Sequence, residues 1–136
     1  MKEMTAAARI ESIPAVTAFV DEQLEKLNCS RKVQIQIAVA IDEIFSNIAR
    51  YAYGPEGGEA TIRVETEEDP AAVVISFIDQ GRPFDPLAKP DPDLLLGPEE
   101  RDIGGLGIYL VKKTMDDVHY EYSGGRNILT IRKQIG

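Results

Sequence analysis

The strand that ends at Asp79 constrains the fold more than any other part of the sequence. Residues 73–78 are almost all apolar, which is typical of a buried strand, and the run stops at a carboxylate that is soon followed by Gly81. A proline-rich stretch comes next, and the segment IGGLGI at residues 103–108 then begins a pattern with helical spacing. A strand, an acid, a long loop and a glycine-rich helix start, in this order, predict a nucleotide site.

The remaining secondary structure follows from periodicity and from turn residues. Apolar residues at helical spacing predict a first helix over 13–27, with Ser12 as its cap, and a second helix from a cap at Ser30 to about Tyr53. A weak signal at 3–10 indicates a short first strand, and a third helix is expected at 107–115. Two hairpins supply the other strands, which we place at 60–66, 71–79, 118–122 and 127–133.

Because the helices and strands are segregated along the chain, we predict an α+β fold. The expected architecture is a two-layer α/β sandwich, in which an antiparallel or mixed sheet carries about three helices on one face. A length of 136 residues suits a single domain over 1–136. Residues 82–103 contain five of the eight prolines, and we predict that this long loop is a lid over the ligand.

The charge and the rare residue types exclude several classes of function. The net charge is −8, so we expect no direct contact with nucleic acid or with an anionic membrane. The single cysteine, Cys29, and the single histidine, His119, exclude an internal disulfide and a Cys/His zinc cluster. No apolar run approaches the ~20 residues of a membrane span and no signal peptide is evident, so we expect a cytoplasmic protein.

The second helix contains a polar pair in an otherwise apolar setting. Glu43 and Asn47 are four residues apart and lie on one face, which differs from the core-facing stripe of Val33, Ile37, Ile41, Ile44 and Ile48. A carboxylate at such a site can orient or deprotonate a nucleophile, whereas an amide oxygen is a suitable ligand for Mg²⁺. We therefore predict that this pair faces a cleft rather than bulk water.

The strand end at Asp79 and the glycine-rich segment also have the chemistry of a nucleotide site. An ionised Asp79 can accept a hydrogen bond from an exocyclic amine such as that of adenine, and Gly81 leaves room for a flat ring. The glycines at 104, 105 and 107 allow backbone amides to face an anion at the start of a helix. The segment is not a Walker A loop, because the lysine of that motif is absent.

Taken together, the three elements resemble the N box and the two glycine boxes of the GHKL ATPase superfamily. The resemblance implies the Bergerat-type ATP-binding fold, with ATP and Mg²⁺ as cofactors. It also implies a role for each matching residue: Glu43 is the catalytic glutamate, Asn47 binds Mg²⁺, Asp79 and Gly81 bind adenine, Gly104, Gly105, Leu106 and Gly107 bind the phosphates, and Thr130 supports the base.

Within this superfamily the chain is most similar to the free-standing anti-sigma factor serine/threonine kinases of bacteria. The similarity covers residues 10–134 and includes AVAIDEIFSN at 38–47, GRPFDP at 81–86 and GGLGIYLV at 104–111. It implies a transcription regulator that phosphorylates a small anti-anti-sigma protein of the STAS type, that can also bind a sigma factor, and that forms a homodimer. Two alternatives stay open: a non-catalytic, ATP-gated protein-binding switch, and a stand-alone histidine kinase-like ATP domain.

Overall fold

A computed structural model describes residues 1–88 and 106–135 of the chain. Within these residues, five strands and three α-helices follow one another in the order β1 (Lys2–Ala7), α1 (Ile13–Lys26), α2 (Arg31–Tyr51), β2 (Glu59–Glu67), β3 (Ala72–Asp79), α3 (Leu106–Thr114), β4 (Asp117–Ser123) and β5 (Arg126–Gln134). The predicted α+β class is confirmed, and each predicted element is present within a few residues of its expected bounds. Most of the predicted lid, residues 89–103, lies outside the described residues.

The strands form one sheet in the order β1-β2-β3-β5-β4, and every neighbouring pair is antiparallel. Inward-facing residues alternate along the central strands and pack against the helices, as the burial of Ile75, Phe77, Leu129 and Ile131 shows. The other face is more polar and includes an ion pair between Arg132 and Glu67 at 2.7 Å. The sheet therefore has one face that packs on the helices and one that is largely solvated.

The helix α2 has the predicted amphipathic character. Its buried residues are Ile37, Ala40, Ile41, Ile44, Phe45 and Ile48, which include four members of the predicted stripe. Ser30 caps the helix as predicted, because its extended backbone lets the hydroxyl oxygen accept the Val33 amide at 3.2 Å.

The cap predicted at Ser12 does not form. A short 3₁₀-helix, Ile10–Ser12, runs directly into α1, so Ser12 has helical dihedral angles of −82° and −14° and its side chain makes no capping hydrogen bond. A cap needs an extended backbone, which Ser30 has and Ser12 lacks. The sequence shows a serine before a helix in both cases and does not distinguish them.

The helices α2 and α3 run in opposite directions across the sheet. The end of α2 lies beside the end of β3, where the Ala52 carbonyl oxygen accepts the Arg82 amide at 2.9 Å. The end of α3 lies toward the opposite end of the strands, where the Thr114 carbonyl oxygen accepts the Lys133 side chain at 2.7 Å. None of the described helices combines the length and the hydropathy that a membrane span requires.

Gly81 allows the chain after β3 to pack directly on the end of α2. A Cβ added at Gly81 would lie 2.5 Å from the carbonyl carbon of Ala52 and 2.7 Å from its Cβ. Both distances are too short for real contacts, and a backbone group cannot rotate away as a flexible side chain can. The structure thus gives Gly81 a packing role in addition to the predicted one beside a ring.

We expect the substitution Gly81→Ala to lower the free energy of unfolding by about 1–3 kcal/mol, because the added methyl group must push β3 and α2 apart. Chemical denaturation monitored by circular dichroism measures this change. Gly54→Ala is the control, since nothing lies within 4 Å of a Cβ at Gly54, and it should change stability by less than about 0.5 kcal/mol. Equal stability of the two variants would contradict this account of Gly81.

Candidate functional site

A pocket lies between α2 and the end of the sheet where β3 finishes. It contains about 390 Å³ of space, part of which is open to solvent. Its lining combines an apolar floor with a few polar groups that point inward. The lining residues are Ile44, Asn47, Ile48, Ala52, Phe77, Asp79, Phe84, Pro86, Tyr120, Asn127 and Leu129.

Asp79 supplies the acidic group of this pocket and is only 5% exposed. Its Oδ1 atom accepts two hydrogen bonds at 2.9 Å, one from the Gly81 amide and one from the Asn127 side chain. Within the described residues, Oδ2 accepts no hydrogen bond, and no side-chain oxygen that is fully buried lacks a partner. Oδ2 therefore has the capacity to accept a hydrogen bond from a ligand amine.

Asn127 holds Asp79 in place, and the sequence analysis missed it. Its Nδ2 donates to Asp79 and, at 2.9 Å, to the Arg82 carbonyl oxygen, while its Oδ1 accepts the Phe84 amide at 3.1 Å and the Tyr120 hydroxyl. Two donated bonds at 2.9 Å and two accepted bonds use the full capacity of an amide side chain, and Nδ2 also lies 3.4 Å from the Gly81 carbonyl oxygen. Asn127 thus joins three strands to the segment that follows Asp79.

Tyr120 completes this network from β4. Burial raises the pKa of its phenol above the ordinary value, so the hydroxyl stays protonated and remains a donor to Asn127. The sequence contained a signal for this cluster. Asn127 is a polar residue at the start of a row that continues inward with the apolar Leu129 and Ile131, and the structure pairs it with Asp79.

The structure corrects the assignment of Thr130. Thr130 pairs with Ser76, and the two hydroxyl oxygens are 3.2 Å apart on the sheet face that points away from the helices. Successive side chains of a strand alternate between the two faces, so Thr130 cannot share the pocket with Leu129 and Asn127. Asn127, and not Thr130 as predicted, occupies the position beside Asp79.

The second predicted cluster is the polar pair on α2. Asn47 lines the pocket, and Glu43, one turn earlier on the same face, is half-buried. Glu43 packs against the first turn of α3, because a Cβ added at Gly107 would overlap its carboxylate and would lie 2.5 Å from its Cδ. Glycine at this position therefore gives Glu43 the space beside the helix start.

The structure thus brings Glu43, Asn47, Asp79 and Gly107 to one region, between α2 and the sheet on one side and the start of α3 on the other. Gly104 and Gly105 lie outside the described residues, so their predicted contacts with phosphate stay a prediction. Leu106 begins α3, and its side chain lies outside the described part as well. The described site has an acid at one end and a helix start with a second acid at the other.

The family follows from a comparison with known proteins. The model of the histidine kinase-like ATPase domain matches residues 6–133, so the chain belongs to this family. The fold agrees, because the RsbU and RsbW domains of a Mycobacterium tuberculosis protein superpose on 99% of the chain with a TM-score of 0.68 at 16% identity. The chain spans 33% of that structure.

Two curated relatives point to a narrower group. The serine-protein kinase RsbW of Bacillus licheniformis is 28% identical over 132 residues, which cover 90% of this chain and 79% of the relative. The serine-protein kinase RsbW of Listeria innocua is 32% identical over 101 residues, which cover 68% of this chain and 61% of the relative. Proteins similar to this chain are thus named as protein kinases.

The role of Asn127 can be tested by removing its hydrogen bonds while keeping its size. We expect Asn127→Leu to weaken ATP binding by roughly tenfold or more and to lower the free energy of unfolding by about 1–3 kcal/mol, because Asp79 and the 82–84 backbone lose a buried partner. Calorimetric titration with ATP and thermal unfolding measure the two effects.

Thr130→Val is the matched control for that variant, since it removes a hydroxyl from the same strand on the opposite face. Its ATP affinity should equal that of the wild type. If Thr130→Val weakened ATP binding and Asn127→Leu did not, our reassignment from Thr130 to Asn127 would be wrong.

Proposed function

We propose that the chain is an ATP- and Mg²⁺-dependent protein serine/threonine kinase that phosphorylates a small anti-anti-sigma protein and acts as an anti-sigma regulatory factor. The observation that supports this most is the position of Glu43. Its carboxylate lies against Gly107 at the start of α3 and one turn from Asn47, which lines the pocket of Asp79. An acid is therefore placed where the phosphate end of a bound nucleotide would lie.

The base end of the pocket suits adenine. Adenine presents an exocyclic amine as a donor, whereas guanine presents a carbonyl oxygen at the corresponding position. The Oδ2 atom of Asp79 would accept the amine and would repel the oxygen. The apolar floor, which includes Ile48, Phe77 and Leu129, suits a flat ring.

The phosphate end would rely on backbone groups. A protein with a net charge of −8 has no basic surface for a triphosphate, but the start of α3 offers amides and the positive end of a helix dipole. The Asn47 side-chain oxygen would hold Mg²⁺, which supplies charge neutralisation to the phosphates when it is bound. The donor set fits the ion, because Mg²⁺ in such sites binds few protein oxygens and keeps several waters.

Glu43 would act on the incoming hydroxyl. Phosphoryl transfer depends mainly on positioning and on electrostatic stabilisation, so the protein has little covalent chemistry to perform. The Glu43 carboxylate would orient the serine or threonine hydroxyl of the partner and accept its proton as the new O–P bond forms and the bond from the γ-phosphorus to the bridging oxygen breaks, with ADP as the leaving group. Gly107 allows this carboxylate to sit beside the helix start instead of being displaced by a side chain.

The partner and the assembly also belong to the proposal. The relatives named above are serine-protein kinases, which supports a protein hydroxyl as the phosphate acceptor. We further propose that the partner is a STAS-type protein, that a sigma factor is a second ligand, and that the chain works as a homodimer in the cytoplasm.

The substitution Glu43→Gln separates binding from chemistry. We expect it to retain ATP affinity, because the amide fills the same space beside Gly107, and to slow phosphate transfer by about 10²–10⁴-fold, because the amide cannot accept a proton. Transfer of radiolabelled phosphate from ATP to purified STAS-domain proteins of the source organism measures the rate, and calorimetry measures the affinity.

Two results would contradict the proposal. If Glu43→Gln transferred phosphate at the rate of the wild type, Glu43 would have no part in the reaction. If the wild type bound ATP tightly but phosphorylated none of the STAS-domain proteins, the non-catalytic ATP-gated switch would replace the kinase.

A further inference from the structure

Three large apolar side chains are exposed near Glu43 without a covering element among the described residues. Ile35 is 53% exposed, Val39 is 43% exposed and Leu110 is 42% exposed. Single exposed apolar residues are common, but a group of them beside a reactive centre is a typical feature of a docking surface. We call Ile35, Val39 and Leu110 the α2–α3 patch.

The patch is continuous with the candidate site along α2. Val39 precedes Glu43 by one turn and Ile35 precedes it by two, so the spacing of four residues places Ile35, Val39, Glu43 and Asn47 on one slowly turning stripe. The burial along this stripe changes from exposed at Ile35 and Val39 to half-buried at Glu43 and Asn47. The end of the stripe at Glu43 and Asn47 is thus partly covered, and the end at Ile35 and Val39 is exposed to solvent.

Leu110 extends the patch onto the neighbouring helix. It lies three residues after Gly107, and therefore on the same side of α3. Gly107 contacts Glu43, and α3 runs antiparallel to α2 from that point. A residue one turn later on α3 therefore faces a residue one turn earlier on α2. Leu110, one turn after Gly107, thus lies beside Val39, one turn before Glu43.

The charges around the patch differ from those of the protein as a whole. Exposed cations, Arg31 and Lys32, stand in the first turn of α2, which has no acidic residue, and Lys113 stands in the last turn of α3. Cations in the first turn of a helix are disfavoured by its dipole, so they do not serve the stability of α2. Two acids adjoin it: Asp42 is exposed on α2, and Asp21 of α1 lines a small depression together with Arg31 and Ile35. The border of the apolar surface thus carries these two acids and the three cations, on a protein whose net charge is −8.

We infer that the α2–α3 patch is the surface on which the protein substrate docks. This inference rests on the proposed kinase function, since a hydroxyl that reaches Glu43 must bring with it the surface of the protein that carries it. The chemistry of the patch specifies that partner surface: apolar residues beside the acceptor serine or threonine, bordered by acidic side chains that meet Lys32 and Lys113. A free peptide that carries only the serine would lack most of this contact.

The double variant Val39→Ser with Leu110→Ser tests the inference. The probe is a purified STAS-domain protein of the source organism that the wild type phosphorylates. We expect the KM for this protein to rise roughly tenfold or more, because truncation of the central apolar residues of an interface typically weakens binding by that factor. The affinity for ATP and the kcat at saturating partner should not change, because neither residue lines the pocket.

Ile10→Ser is the matched control. Ile10 is 44% exposed, which is close to the values for Val39 and Leu110. It lies near the C-terminal end of α2, away from the patch, because the neighbouring Ala8 amide donates a hydrogen bond to the Gly58 carbonyl oxygen. Its KM should equal that of the wild type. Lys32→Glu should raise the KM as well, and added salt should raise the KM of the wild type more than that of Lys32→Glu.

The outcomes separate this inference from the proposed function. If the wild type transfers phosphate and the double variant has an unchanged KM, the docking inference is overturned and the kinase function stands. If the double variant instead changes a dimer into a monomer in sedimentation at an unchanged KM, the patch is a contact between copies of the chain and the inference is again overturned. If the wild type transfers no phosphate to any STAS-domain protein, both fail together.

Discussion

The buried hydrogen bond between Asp79 and Asn127 is the interaction on which both the fold and the site depend. It joins the last residue of β3 to its partner in β5, and Asn127 also fixes the backbone at Arg82 and Phe84. Because Asn127 occupies one oxygen of Asp79, the other oxygen keeps its capacity to accept a hydrogen bond from a ligand. A buried carboxylate is costly unless it has partners, so the network that stabilises the sheet is also the one that makes Asp79 available to a ligand.

The helix α2 distributes three tasks over its surface. One side packs on the sheet through Ile37, Ile41 and Ile44, and its end receives the chain after β3 at Gly81. A second side places Asn47 in the pocket and Glu43 against the start of α3. The stripe that carries Glu43 and Asn47 continues toward the start of α2, where Val39 and Ile35 are exposed. A change in the packing of α2 would therefore affect the proposed nucleotide site, the proposed catalytic group and the proposed docking surface at once.

Periodicity and capping residues predicted most of the fold, since apolar residues at regular spacing determine which elements form. Most features that the sequence did not predict depend on neighbours distant in the chain. The difference between Ser12 and Ser30 is instead local, because Ser12 ends a 3₁₀-helix and has helical dihedral angles, whereas Ser30 is extended. Thr130 was expected beside the base, but alternation in β5, with Leu129 and Ile131 inward, places it on the other face, and the register with β3 selects Asn127 instead. Gly81 packs on Ala52, a contact visible only in three dimensions. The roles of Glu43, Asn47 and Asp79 came from a family resemblance, and the structure brings these three residues together.

The central claim is that Asp79 selects an adenine nucleotide in the described pocket. Calorimetric titration of the wild type and of Asp79→Asn with ATP and with GTP, each in the presence of Mg²⁺, tests it most directly. The account predicts saturable binding of ATP to the wild type, no measurable binding of GTP, and loss of ATP binding in Asp79→Asn, because the amide offers a donor where the amine needs an acceptor. Equal affinity of the two proteins for ATP, or equal affinity of the wild type for ATP and GTP, would contradict it.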